Sequence, residues 1–357
     1  MSKPLMSEIL KGTEEALKLA DSQDVNKLHD FLFAEPGKPM LFVGNGGMQG
    51  HYASMLYEQY VGIGKSTTPF MLRSMSDEVL RSCRCLLMSD GGNNIDIKDA
   101  TKRMAAVNPQ NTGGFTSVDS EKNILLKLLD KDKVFLFKHP HDGSFQEGFI
   151  SVTKQFYRDA LFYKAFTGKS ASEQLKVDLD PTHCYQYELN NSDGSLTPLS
   201  SIQHFLVLHG GYGEPAAHYL ESVLAESGMV SAQVTDYRNF CHGRFIFASN
   251  HTRHQKKTHT LLESDAAVIL LVSPEEEKIA TNIRKTTPNA DWQVLPNETP
   301  IITIKTNLDD PAAAIDLHIK VSAFVADLCE NHHGNNPFSP KNYSGIKKQF
   351  PKGGLRW

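Results

Sequence analysis

The sequence predicts an α/β protein made of two duplicated units, each a parallel sheet flanked by helices in a three-layer αβα arrangement. Strand-like apolar runs alternate with amphipathic helical stretches, the order that a parallel sheet covered on both faces requires. A glycine loop follows the first strand of each half, "VGNGG" at 43–47 and "LHGGYG" at 208–213. The whole pattern restarts after a polar stretch, giving an internal period of about 165 residues.

Residues 5–34 carry Leu5, Ile9, Leu10, Ala16, Leu17, Leu19, Leu28, Phe31 and Leu32 at helical spacing, which predicts one or two leading amphipathic helices. "KPMLFVGNGG" reads as the first strand and its loop. Residues 48–61 then read as a helix with Met48, Tyr52, Met55, Leu56 and Tyr60 on the apolar side. "RCLLMSDGGNN" is a second strand and loop, followed by the helix "DIKDATKRMAAVN". The strands "TGGFTSV" and "KVFLFKHP" and the helix "GFISVTKQFYRDALFYKAF" complete the first unit. In the second half "IQHFLVLHGGYGEPAAHYLESVLAES" is strand, loop and helix. "GRFIFASNHT", "AAVILLVSP" and "TPIITIKT" read as strands, with helices at about 275–286 and 311–330. The expected organisation is N-terminal helices at 1–34, a first domain at 35–170, a connector at 171–200, a second domain at 201–335 and a tail at 336–357.

The chain has 357 residues and a formal net charge of -4, so nothing in its overall charge favours nucleic acid. Its five cysteines are odd in number and contain no C-x-x-C, the usage of reduced intracellular thiols. Cys83 and Cys85 fall in a predicted buried strand. No run approaches the roughly 18 apolar residues of a membrane span, and the start shows no secretory pattern, so a cytoplasmic location and no membrane partner are expected. The histidine groups "HPHDG" (His139, His141), "NHTRHQKKTH" (His251, His254, His259) and "ENHHG" (His332, His333) lack a full ligand set at a metal-binding spacing. Neither a metal nor another cofactor is expected.

Four glycine or polar loops fall at strand carboxyl ends: 44–47, 89–94, 209–213 and 249–252. Open parallel sheets bind ligands there, where glycine lets backbone N–H groups approach the guest. The candidate ligand residues are Gly44, Asn45, Gly46, Gly47, Ser89, Asp90, Gly91, Asn93, Asn94, Ser151, Thr153, Gly210 and Gly211. The G-x-G-x-x-G dinucleotide fingerprint with its acidic strand end and the P-loop signature are both absent.

The segments "VGNGGMQGHYASMLYE", "MSDGGNNIDI", "EGFISVTKQF", "LHGGYGEPAAHYLESVLAES" and "DYRNFCHGR" together resemble the double sugar-isomerase (SIS) domain family, which includes the isomerase domain of glucosamine-6-phosphate synthase and fructosamine-phosphate deglycases. The resemblance spans most of residues 35–335. It implies a sugar or sugar-phosphate ligand, a homodimer, and proton movement between C1 and C2 of a sugar derivative. Glu226 and His242 stand at the family's sixteen-residue spacing. By that resemblance Glu226 carries the proton and His242 opens the ring, the latter supplied by the same or a neighbouring subunit. A buried carboxylate and an imidazole suit these two tasks.

Three departures from the family pattern stand out. "SDGGNN" keeps Ser89 but puts Gly91 and Asn94 in place of a serine and a threonine and adds Asp90, a carboxylate that would repel a phosphate by roughly 1 to 4 kcal/mol. Gly47 replaces a serine, and Val223 replaces a lysine three residues before Glu226. These changes open a second reading: a module that binds and senses a sugar, sugar phosphate or nucleotide-like metabolite without turning it over.

Overall fold

A computed structural model describes residues 5–46, 50–139, 152–188, 197–244, 266–284 and 299–334. They divide into two units: residues 12–139 and 152–174 form an N-terminal unit, and the described residues of 5–11 and 175–334 a C-terminal one. The first helix, α1 (Met6–Leu10), belongs to the C-terminal unit, where the Ser7 hydroxyl donates to Glu330 Oε2 at 2.6 Å.

The N-terminal unit opens with α2 (Thr13–Asp21) and α3 (Asn26–Phe33) and then enters its sheet. The successive elements are β1 (Met40–Val43), α4 (His51–Tyr60), β2 (Gly64–Thr67), α5 (Asp77–Ser82), β3 (Arg84–Met88), α6 (Ile95–Val107), β4 (Thr112–Thr116), α7 (Ile124–Leu128), β5 (Val134–Leu136), α8 (Thr153–Thr167) and the short α9 (Ala171–Gln174). The strands lie in the order β2-β1-β3-β4-β5 and all pair in parallel. Alternation along each strand decides the layers. Leu41, Val43, Cys85 and Leu87 pack with Leu80, Ile97, Ala100, Met104 and Leu125 of α5, α6 and α7. On the other face the Phe42 ring meets Tyr57 of α4 and Phe162 of α8, centroids 5.8 and 6.3 Å apart. Because both faces are covered, β1, β3 and β4 are buried at every position, and the apolar run "RCLLM" needs no polar alternation. Arg84, buried at the start of β3, donates to the carbonyls of Phe31 and Leu32 and stacks its guanidinium over Phe31 at 4.4 Å. That ties α3 to the sheet.

The C-terminal unit contains α10 (Pro181–Cys184), β6 (Gln186–Glu188), β7 (His204–His209), α11 (Glu214–Ser227), β8 (Ser231–Asp236), α12 (Tyr237–Asn239), β9 (Ala266–Val272), α13 (Glu277–Arg284), β10 (Ile301–Lys305) and α14 (Ala312–Asp327). Its strand order is β6-β10-β9-β7-β8. Four strands are parallel, while β6, from the stretch read as a connector, adds to β10 antiparallel. Leu206, Leu208, Val268, Leu270 and Val272 pack with Tyr237, Phe240, Ala280 and Ile283 on one face. Phe205 meets Phe324 of α14 on the other, centroids 5.9 Å apart.

The strands β2, "GKST", and β8, "SAQVTD", escape the apolar pattern because each pairs along one side only and keeps half-exposed positions. Of the stretch "GRFIFASNHT", Gly243 and Arg244 continue a helical turn, Phe240–Arg244, and the remainder lies outside the described residues. Cys83 and Cys85 are buried, as their strand predicts. Among the described residues no helix is long and apolar enough to cross a membrane.

Candidate functional site

Each sheet has a point where its strand order turns. In the N-terminal unit β1 is flanked by β2 on one side and β3 on the other, and in the C-terminal unit β7 is flanked by β8 and β9. The carboxyl ends of these strand pairs are where such sheets receive ligands. The loops 44–46 and 89–94 lie at the first point, and 210–213 at the second.

In the N-terminal unit the loop after β3 is stitched from within. The Gly92 amide donates to Ser89 Oγ at 3.1 Å, so that hydroxyl is already engaged in shaping the loop. Gly92 has φ +60, and a Cβ there would lie 1.8 Å from Asn123 Oδ1. Only glycine fits this left-handed, close-packed position. Asn123 in turn donates to Thr116 Oγ1 at 2.8 Å and to the Val118 carbonyl at 2.9 Å. Asn94 caps α6 by accepting from the Asp96 amide at 2.8 Å. Gly91 and Asn93 stand at the loop surface, Asn93 exposed and Gly91 with open space where a Cβ would be.

Asp90 is the charged centre of this loop. Its carbonyl accepts from the amides of Ser117 and Val118 and from Thr116 Oγ1. Its carboxylate accepts from His139 Nε2 at 3.1 Å and lies 3.5 Å from Lys154 Nζ. Because an ionised carboxylate only accepts, His139 holds its proton on Nε2 toward Asp90. Burial works against the charge, but the hydrogen bond from His139, the Lys154 ammonium and a hydrogen bond from Ser117 outweigh it, holding the carboxyl well below the usual carboxylate range. The His139 ring is itself buried and sits edge-on to Tyr157, centroids 6.1 Å apart. Neither His139 nor Lys154 is among the ligand residues that the sequence predicts. The signals were present in "HPHDG" and "EGFISVTK", but only the fold brings β3, β5 and α8 to one point.

Of the remaining candidates in this unit, Gly44 is buried and donates to the Thr67 carbonyl at 3.1 Å, Asn45 is half-buried and Gly46 exposed. Thr153 is fully buried at the start of α8. Gly47 and Ser151 lie outside the described residues, as do His141, His251, His254 and His259.

In the C-terminal unit a cavity of about 490 Å³ opens at the carboxyl ends of β7, β8 and β9, lined by His209, Gly210, Asp236, Arg238, Glu276 and Lys278 among others. Gly211 beside it is exposed. Asp236 caps the turn that follows β8, accepting from the amides of Arg238 and Asn239 at 3.0 and 2.9 Å. Burial raises its carboxyl, and these bonds overcome that and hold it low. Glu276, 7% exposed, accepts on Oε2 from the Ser273 amide at 2.9 Å and from the Ser273 hydroxyl. A Cβ at Gly210 would lie 1.9 Å from its Oε1.

Glu226 sits in the last turn of α11, half-buried, and accepts from Ser222 Oγ at 3.2 Å. Burial pushes its carboxyl up, against the weaker opposing pull of Ser222. Val223, where the family pattern has lysine, is core. His242 is exposed in the turn after β8. Since α11 runs back along the sheet between the parallel strands β7 and β8, Glu226 lies where β8 begins and His242 beyond where it ends. Six residues of strand, about 20 Å, separate the two levels within one chain.

The chain superposes on tagatose-6-phosphate ketose/aldose isomerase from Escherichia coli with a TM-score of 0.62 and 14% identity, over 93% of this chain and 94% of that one. It shares their fold to a similar degree with glucosamine-6-phosphate deaminase from Thermotoga maritima (0.61, 14%, 94% and 96%) and with the C-terminal domain of glucosamine-fructose-6-phosphate aminotransferase from Francisella tularensis (0.55, 14%, 92% and 96%). The likeness to these proteins is one of fold. No family model and no curated protein sequence matches the chain.

Proposed function

We propose that this protein acts on a sugar or phosphosugar derivative as an isomerase or deglycase, moving a proton between C1 and C2, with Glu226 as the proton carrier. The observation that carries the reading is the state of Glu226: a half-buried carboxyl, raised by burial and oriented by one hydroxyl, is suited to take a proton and return it. The fold shared with a ketose/aldose isomerase supports the reaction class. The common order of the parallel strands, β2-β1-β3-β4 and β8-β7-β9-β10, supports descent of the two units from one duplicated ancestor.

His242 is the proposed ring opener. Its separation from Glu226 within one chain favours a site completed across a homodimer, each protomer lending its imidazole to the other. Heavy-water exchange on a panel of amino sugars and hexose phosphates tests the chemistry. Deuterium should enter at C1 or C2, and Glu226→Gln should lower the rate by about 10²–10⁴. Exchange that survives this substitution removes Glu226 from the role. The shared site is tested by mixing Glu226→Gln with His242→Ala protein. Random re-pairing restores about a quarter of the intact sites if they span the dimer, and none if each chain is self-sufficient. A solution mass near 39.7 kDa, that of one chain, would contradict the dimer.

A second reading, binding without turnover, is favoured by the loop at 89–94. Gly91 and Asn94 stand where the family pattern supplies hydroxyls to a phosphate, and the loop carries the carboxylate of Asp90 beside them. Under that reading the sugar panel raises the melting temperature by RT ln(1 + [L]/Kd) with no exchange at C1 or C2.

A further inference from the structure

We propose that the C-terminal unit carries a ligand site of its own: the cavity at the carboxyl ends of β7, β8 and β9 takes an unphosphorylated amino sugar, its ammonium held by Glu276. This goes beyond the proton-transfer reading and does not depend on it, since Glu226 lies at the other end of the same sheet.

The argument starts from Glu276. A carboxylate that is nine-tenths removed from water costs several kcal/mol unless a positive charge accompanies it. Among the described residues Glu276 makes no ion pair; its partners are the neutral amide and hydroxyl of Ser273, both on Oε2. Oε1 rests against Gly210 at the cavity wall, where only a residue without Cβ leaves it room. The loop after β7 is therefore shaped to admit this acid, and the acid is left to meet whatever fills the cavity.

The other lining groups narrow the guest. Asp236 is consumed by the turn it caps, so it is not free to take the hydroxyl pair of a nucleoside ribose. Asp236, Glu275 and Glu276 outnumber Arg238 and Lys278 by three carboxylates to two fixed cations, an arrangement that opposes a phosphate dianion and favours a cation. Exposed Arg238 and the Asn282 amide also line the cavity as donors for hydroxyl oxygens, with Ile279 as an apolar wall. The volume of about 490 Å³ leaves room for a monosaccharide.

Calorimetric titration of the full chain with D-glucosamine tests the proposal. Saturable binding is expected, at least about tenfold tighter than D-glucose, which lacks the ammonium, and than D-glucosamine 6-phosphate, which adds the dianion. Glu276→Gln should weaken glucosamine about tenfold or more. Lys278→Glu, at an exposed position, should tighten it a few-fold, which keeps the test decisive if the first variant fails to fold. No saturable glucosamine binding, equal affinity for glucose, or preference for the phosphate ester would each overturn the proposal. So would weaker binding by Lys278→Glu. The readout does not pass through turnover, so a failure here and a failure of heavy-water exchange are separate results.

Discussion

Asp90 and Glu276 follow corresponding strands, β3 and β9, each lying beside the strand that leads into its unit's first glycine loop, β1 or β7, and both acids stand near a point where the strand order turns. Their surroundings differ. Asp90 is met by His139 and Lys154, so its charge is answered inside the protein. The Glu276 carboxylate takes its hydrogen bonds from Ser273, makes no ion pair among the described residues, and lines a cavity. The same topology thus presents one crevice whose acid is locked into a structural network and another whose acid is available. Topology places a carboxylate at the mouth of a sheet; its immediate partners decide whether it holds the loop or meets a guest.

The glycines beneath the two acids give the largest expected effects. Gly92→Ala forces a Cβ into a left-handed residue and against Asn123, the side chain that ties this loop to β4. Denaturant unfolding should show a loss of about 2–4 kcal/mol, combining the backbone penalty with overpacking. Gly210→Ala has no left-handed penalty and meets the Glu276 side chain first, so about 1–3 kcal/mol is expected, together with loss of room in the cavity. An equal cost at both positions would remove the distinction between a fixed loop and an open one.

Asp90→Asn comes next. It removes the carboxylate beside Lys154 and weakens the hydrogen bond from buried His139, but the Asp90 side chain is 37% exposed, so the loss should be held to about 1–2 kcal/mol at neutral pH. The pH dependence has a definite sign. Asp90 is held below its unfolded value, so its stabilisation is fully present above about pH 4 and disappears as pH falls through the folded value. Wild type and variant should therefore converge in acid.

Glu226→Gln is expected to have the smallest effect on stability, within about 0.5 kcal/mol, and with the opposite sign. A carboxyl raised by burial makes the folded state bind its proton more tightly, so the wild type loses stability as pH climbs from the unfolded value to the folded one. The glutamine variant escapes that loss and should match or exceed wild type at neutral pH. A large destabilisation would mark Glu226 as structural and weaken its assignment as proton carrier.

Much of the architecture is legible in the sequence. "RCLLM" and "AAVILLV" are buried on both faces and read as strands from composition alone, and the spacing of Leu206 and Leu208 or Leu41 and Val43 follows from the two-residue period. "SAQVTD" was not legible, because a one-sided strand with half-exposed positions carries little apolar pattern. Nor was the place of α1, five residues whose apolar face is met by the C-terminal unit rather than by its neighbours in sequence. At the candidate site the loops were legible and their chemistry was not. Asp90 was visible as a carboxylate in a glycine loop, and its partners lie 49 and 64 residues further along, at His139 and Lys154.

The sequence by itself determined the alternation of strand and helix, the recurrence of the glycine loops and the spacing of Glu226 from His242, because these rest on short-range periodicity and on backbone freedom. Tertiary structure alone decided which charges meet. It gave Asp90 a hydrogen-bond donor in His139 and a cation in Lys154, left Glu276 at a cavity wall, and set Glu226 and His242 at opposite ends of one strand. Electrostatic partnership depends on distances of a few ångströms between groups far apart in the chain, and only the folded sheets fix those distances.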